Sequence, residues 1–302
     1  MDRIRQYWDA VTDDLNNYPA NPEIELIPLR TTGYATAFGV YITSSGPYRL
    51  FGYLSIPKGT GPFPTIYYTA TYTSVLDFLP QGTSNFTRSR FITFSLAGRG
   101  QRNADKPYAA MFPGHFTNKI SEPYEYVFRS VTADCLRGAQ FLLDCPEVSN
   151  EKTVVVGNDL ALIVASLETR IKYLMTAPKL FVDSIQLAGK VIDYAGYPAL
   201  AELNDYLRMY PDDSDKVAET LSYFDLAYHA TNISAKTLIL AGSKGSVVDA
   251  SALFPVQSSL AGASQIFESQ DSSYKDGLYC EQWITENLVS PDTDPIVPVH
   301  WS

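Results

Sequence analysis

The side chain best placed for chemistry is Asp159. It stands in Gly157-Asn158-Asp159-Leu160-Ala161, after the apolar run Thr153–Val156 and before an apolar helical stretch from Leu160 to Thr169. A carboxylate on such a strand-to-helix turn can act as a nucleophile or base, forming a covalent ester that a histidine-activated water then hydrolyses. Tyr274 or Lys275 would be the proton donor. The chain has three histidines to serve as the activating base: His115, His229 and His300. His115 lies in the loop Pro113-Gly114-His115-Phe116. His229 lies just before a core strand, which puts it at the end of the sheet away from the turn. His300 lies in a proline-rich tail, where it could form a dyad with Asp249 only if the tail folds back. The plain reading of Asp159 is a carboxylate capping the helix that follows it, where the helix dipole favours negative charge.

Several elements must position these residues. Residues 2–16 predict a helix, with Ile4, Trp8, Val11 and Leu15 on one stripe. Strand-like runs follow at 23–29, 34–43 and 48–56, the last two joined by the turn Ser44-Ser45-Gly46-Pro47 as a hairpin. Short apolar runs then recur at 65–68, 91–94, 153–156, 173–175 and 237–240, the pattern of parallel strands covered on both faces. Helical stretches separate most of them, at 124–143, 160–169, 251–260 and 279–288. This alternation predicts a doubly wound α/β domain. Residues 178–228 interrupt it with short helices, one around Ala199 to Met209, and predict a cap-like insertion over the top edge of the sheet. Residues 1–302 read as one domain.

Composition excludes other classes. The chain has 302 residues, 45% of them hydrophobic, and a formal net charge of -10. So acidic a surface repels phosphate backbones and anionic lipids, so neither nucleic acid nor a membrane is an expected partner. No apolar stretch is long enough to span a bilayer. The start, Met1 to Trp8, has no apolar core of a secretory signal, so a cytoplasmic location is expected. Three cysteines without C-x-x-C spacing argue for reduced thiols, not a disulfide framework or zinc site. No cofactor or metal is expected.

Four stretches carry a resemblance. They are Tyr7-Trp8-Asp9, Leu50-Phe51-Gly52-Tyr53-Leu54-Ser55-Ile56-Pro57-Lys58-Gly59, Arg99-Gly100-Gln101, and Glu219-Thr220-Leu221-Ser222-Tyr223-Phe224-Asp225. In order and spacing they span nearly the whole chain, which resembles the acetyl xylan esterase and cephalosporin C deacetylase family. The resemblance implies an α/β-hydrolase fold: a mostly parallel central sheet flanked by helices, with an N-terminal helix-and-hairpin extension and a cap-like insertion. It also implies deacetylation of small acetylated ligands, and oligomers.

Such an esterase carries its serine on the turn G-x-S-x-G. Here the nucleophile position holds Asp159, and Ala161 replaces the second glycine. The acid position, in Ala241-Gly242-Ser243-Lys244-Gly245-Ser246, holds Gly245. The histidine position, in Asp271-Ser272-Ser273-Tyr274-Lys275-Asp276-Gly277, holds Tyr274. Ala70-Thr71-Tyr72 stands for the family's oxyanion loop, where the Tyr72 N–H could still donate. Leu160, next to the nucleophile position, joins Tyr72 there, and Arg99 and Gln101 are expected to tie loops near the site. Tyr67, Tyr68, Tyr72, Phe116, Tyr124 and Tyr126 could line a pocket for a small acetylated or sugar-like ligand, or pack the core. Loss at all three triad positions points to a non-catalytic homologue, a binding or oligomer subunit assembling with itself or an active paralogue. The alternatives are a rebuilt site using Asp159, or a residual ester hydrolase.

Overall fold

A computed structural model describes residues 3–73, 76, 86–190, 195–293 and 296. Helix α1 (Arg3–Asn16) buries Trp8, Val11 and Leu15 of the expected stripe together with Tyr7, while Ile4 is only partly buried. Trp8 Nε1 donates to the Tyr223 carbonyl at 2.8 Å. Arg137 Nη2 donates to the carbonyls of Leu15 and Tyr18 at 2.6 and 2.5 Å, so a cation meets carbonyls at the last turn of the helix and just beyond it.

The strands are β1 (Glu23–Leu26), β2 (Ala35–Thr43), β3 (Arg49–Pro57), β4 (Phe63–Tyr68), β5 (Ile92–Ala97), β6 (Val148–Gly157), β7 (Tyr173–Thr176), β8 (Lys236–Ala241) and β9 (Ser264–Glu268). They form one sheet in the order β1-β2-β3-β5-β4-β6-β7-β8-β9. β2 and β3 are the expected hairpin, and β3 joins β5 antiparallel. From β5 to β9 all pairs are parallel. The remaining helices are α2 (Thr87–Arg90), α3 (Val127–Leu143), α4 (Asp159–Leu167), α5 (Ser184–Ala188), α6 (Pro198–Met209), α7 (Ser214–Ser222), α8 (Leu226–Ala230), α9 (Ala250–Ser259) and α10 (Ser273–Leu288). The α/β-hydrolase architecture expected from the sequence is therefore present, with its N-terminal extension and with the helices of the 178–228 insertion.

Four local expectations need correction. The run at 23–29 stops as a strand at Leu26, because Pro28 opens a 3-10 turn. The helix read from 124 begins at Val127, since residues 117–125 form turns. β9 has no apolar run to announce it: it is an edge strand whose side chains are at most half-buried. The last helix starts at Ser273, two turns before Tyr279, because the Ser272 hydroxyl accepts the Lys275 N–H and caps it.

One topological fact positions the site. After β4 the chain passes to β5 on one side, and β6 then adds to β4 on the other. The loops leaving β4 and β6 diverge, and a crevice opens between them at the carboxyl ends of the strands. No helix among the described residues is long and apolar enough to cross a membrane.

Candidate functional site

The turn after β6 contradicts the capping role expected of Asp159. Asn158 caps α4, its side chain accepting the Leu160 N–H. No residue from 157 to 161 has positive φ, so the strained turn that thrusts a nucleophile outward is absent. Asp159 is the first helical residue and fully buried. Its carboxylate accepts the backbone N–H groups of Lys179, Leu180 and Phe181 at 2.7, 2.9 and 2.8 Å. Those amides belong to the loop after β7, so the side chain fastens that loop to the head of α4. Burial raises the Asp159 pKa above the ordinary carboxylate value, against the lowering influence of the amides. Gly157 leaves no room for a side chain, since a Cβ there would lie 2.1 Å from Thr69 Oγ1.

The other two triad positions lie elsewhere. Gly245 occupies a turn with φ of 83° and donates its N–H to Asp249 Oδ2 at 3.2 Å. Asp249 is the cap of α9, accepting Ser251 and Ala252 N–H groups, and this work accounts for its carboxylate. Tyr274 sits in the first turn of α10, not in the loop expected for it. Lys275 lies beside it in the same turn, and neither residue is among the Asp159 partners. His300 lies outside the described residues.

The loop after β4, which stands where the family's oxyanion loop is expected, is held from below and above. Gln101 Nε2 donates to the carbonyls of Thr71 and Thr73 at 3.0 and 2.8 Å, while its Oε1 accepts the Gly98 N–H at 2.8 Å. The Tyr72 hydroxyl donates to Glu202 on α6. Glu202 also accepts the Thr117 N–H and hydroxyl at 2.6 and 2.7 Å, so a nearly buried carboxylate clamps the insertion onto the crevice. The Leu160 N–H expected to face an oxyanion is occupied by Asn158. Arg99 pairs two-pronged with the buried Asp134 at 2.7 and 2.9 Å and reaches Ser45, tying the β5 turn to α3 and the hairpin.

Two imidazoles are described, and neither contacts Asp159. His115 packs between Phe112 and Phe128, with its Nδ1 3.3 Å from the Tyr108 hydroxyl. His229 does meet a hydroxyl, Ser166 Oγ at 2.7 Å from Nδ1. Its Nε2 faces the Tyr223 carbonyl at 3.2 Å, which can only accept, so Nδ1 is the acceptor of the Ser166 proton. This pair sits at the far end of α4, away from the crevice, where the helix end presents carbonyls and not the N–H groups an oxyanion needs. The one Ser166 hydroxyl proton is shared with the Ile163 carbonyl, which also lies 2.7 Å from Oγ and can only accept. Burial lowers His229 to about 4, which makes it a poor general base at neutral pH.

What the fold brings together is a small cavity of about 170 Å³ over the β4 and β6 loops. Thr71, Tyr72, Asn158, Lys179 and Tyr197 line it, with apolar residues of α6. Of the six aromatic residues offered as a pocket lining, Tyr72 alone is among these. Tyr67, Phe116 and Tyr126 are fully buried in the core, and Tyr124 is exposed. Lys179 and Glu202 were not singled out in the sequence. Lys179 follows Pro178 at a strand end and Glu202 lies within an ordinary helix, so no motif marks either. Among the described residues no cluster of three or more His, Cys, Asp or Glu could hold a metal ion.

Comparison with known proteins places this geometry. A family profile described as acetyl xylan esterase matches residues 2–281. An acetyl esterase of Xylanibacter ruminicola is 20% identical over 254 residues, covering 80% of this chain and 56% of its own length. The chain thus spans about half the length of that curated relative. An acetyl xylan esterase from Paenibacillus sp. R4 superposes with a TM-score of 0.80 at 23% identity, over 95% of each chain. Acetyl xylan esterase 1 from a Thermoanaerobacterium species gives 0.76 at 19% identity, over 94% of this chain and 93% of its own.

Proposed function

From the premise that the chain belongs to the acetyl xylan esterase family, we propose that it is a non-catalytic member, a binding or oligomer subunit. The observation that carries this reading is the state of Asp159. Its carboxylate is buried and held by three backbone N–H groups, with no imidazole in contact. An attacking carboxylate must be free to form a covalent bond, and the resulting ester needs a base to activate water. The described histidines supply none, since burial lowers both to about 4 and neither reaches the turn. Purified protein is expected to hydrolyse p-nitrophenyl acetate and acetylated xylo-oligosaccharides at least about 10⁴-fold more slowly than a triad-bearing esterase assayed alongside. Turnover near that of the control, abolished by Asp159→Ala, would overturn the reading.

An assembly role is supported by the free edge of the sheet. Among the described residues β1 pairs only with β2 and leaves Ile24 and Leu26 half exposed, and Leu29 just beyond is 96% exposed. Apolar side chains along an open edge favour contact with another chain. Sedimentation velocity is expected to show an oligomer that Leu26→Asp with Leu29→Asp shifts to monomer. A wild-type chain that sediments as a monomer at tens of micromolar concentration removes the assembly part of the proposal.

A further inference from the structure

We propose that the crevice between the β4 and β6 loops binds a small carboxylate, with Lys179 as its counter-ion. The inference rests on the non-catalytic reading and names the ligand class of that site. Position comes first: the cavity lies at the carboxyl ends of the parallel strands, where the strand order reverses, and this is where open α/β sheets take their ligands.

Size bounds the ligand. A cavity of about 170 Å³ is close to the ~150 Å³ that admits one benzene molecule. The enclosed part holds about one benzene-sized group, and its mouth opens to solvent.

Charge chooses within that size. The chain carries a formal net charge of -10, yet among the described residues lining the cavity Lys179 is the one that is charged. Its backbone N–H is held by Asp159, which fixes where the side chain leaves the loop. Its side chain stands exposed at the rim, with Nζ 5.9 Å from the centre of the Tyr197 ring, another lining residue. Among the described residues no carboxylate lies within ion-pair distance of it: Asp183, four residues on, is exposed and not paired with it, and Asp159 is turned inward to the amides. Asn158 lends a second donor. Its Oδ1 faces the Leu160 N–H, leaving the Nδ2 hydrogens for a ligand. An ammonium and an amide NH₂ at one mouth match the two oxygens of a carboxylate. Tyr197, Pro198 and Leu200 offer a ring and apolar walls to the rest of the ligand. A planar or short-chain monocarboxylate satisfies all three conditions.

The test uses benzoate and its neutral isostere benzamide, titrated into the full-length protein and followed by ligand-observed NMR. Benzoate is expected to bind at least about tenfold more tightly than benzamide, the discrimination of one charge-assisted pair. Lys179→Met is expected to abolish the difference, and Lys179→Arg to keep it. Equal binding of the two probes overturns the proposal, as does no saturable binding of benzoate, and the wild-type comparison decides even if a variant folds poorly. The ester assay on the same preparation separates the two ideas. Absent turnover with absent benzoate binding removes the carboxylate site alone, whereas Asp159-dependent turnover removes the non-catalytic reading whatever benzoate does.

Discussion

Asp159→Ala is expected to destabilise the folded chain by about 3–5 kcal/mol, because three backbone donors lose their acceptor together. The side chain is fully buried, and its loss leaves the N–H groups of Lys179, Leu180 and Phe181 without their acceptors. Each buried donor so orphaned costs about 1–3 kcal/mol, and the cavity left by the carboxylate adds to that. Asp159→Asn should fall between, because one amide oxygen still accepts while the NH₂ group opposes the remaining donor. Urea unfolding monitored by tryptophan fluorescence measures both. The sign of the effect separates two readings of the same residue. A working nucleophile is held in a destabilised setting, and removing it leaves stability unchanged or raised. A loss of less than about 1 kcal/mol in the alanine variant would therefore point back to chemistry.

How much of this was legible follows from the range of each interaction. The strands β4, β6, β7 and β8 announce themselves because both faces are covered, so three or four successive apolar residues suffice. Helix α1 was equally plain from its stripe. β9 was not, since an edge strand with polar side chains carries neither signal. The role of Asp159 failed for a different reason. Capping rules read partners two or three residues away, whereas its partners lie 20 to 22 residues downstream, across a whole strand. The six aromatics proposed as a lining failed because a ring that packs a core and a ring that lines a pocket look alike in sequence. Phe116 packs edge-on against Phe128 and Tyr126 and tilted against Phe181, and no property of the residue foretold that. Glu202 is the hardest case: a carboxylate in a helix predicts a solvated face, and only the meeting of α6 with Tyr72 and Thr117 buries it.

The second large effect is expected from acid. His115 and His229 are each buried among aromatic or apolar neighbours, and burial lowers both from 6.5 to about 4. A base whose folded value is depressed stays neutral in the native chain while the unfolded chain takes up a proton. Stability is therefore complete above pH 6.5, falls as pH drops below that, and stops falling once the pH passes about 4, where the native state protonates too. A shift of this size corresponds to about 3 kcal/mol for each imidazole, so the pair together rivals the 5–15 kcal/mol that holds a typical domain. Asp159 works in the opposite direction, because a carboxylate whose value is raised is easier to bury once protonated. Its three amides limit that relief. Urea midpoints are expected to fall steeply between pH 6.5 and 4.5. His115→Phe, which suits the ring-lined site between Phe112 and Phe128, should remove about half of the fall. His229→Gln should remove most of the rest, since an amide can accept from Ser166 and donate to the Tyr223 carbonyl as the imidazole does. A wild-type profile that stays level across that interval would mean that both imidazoles already reach solvent, against the burial that holds them neutral.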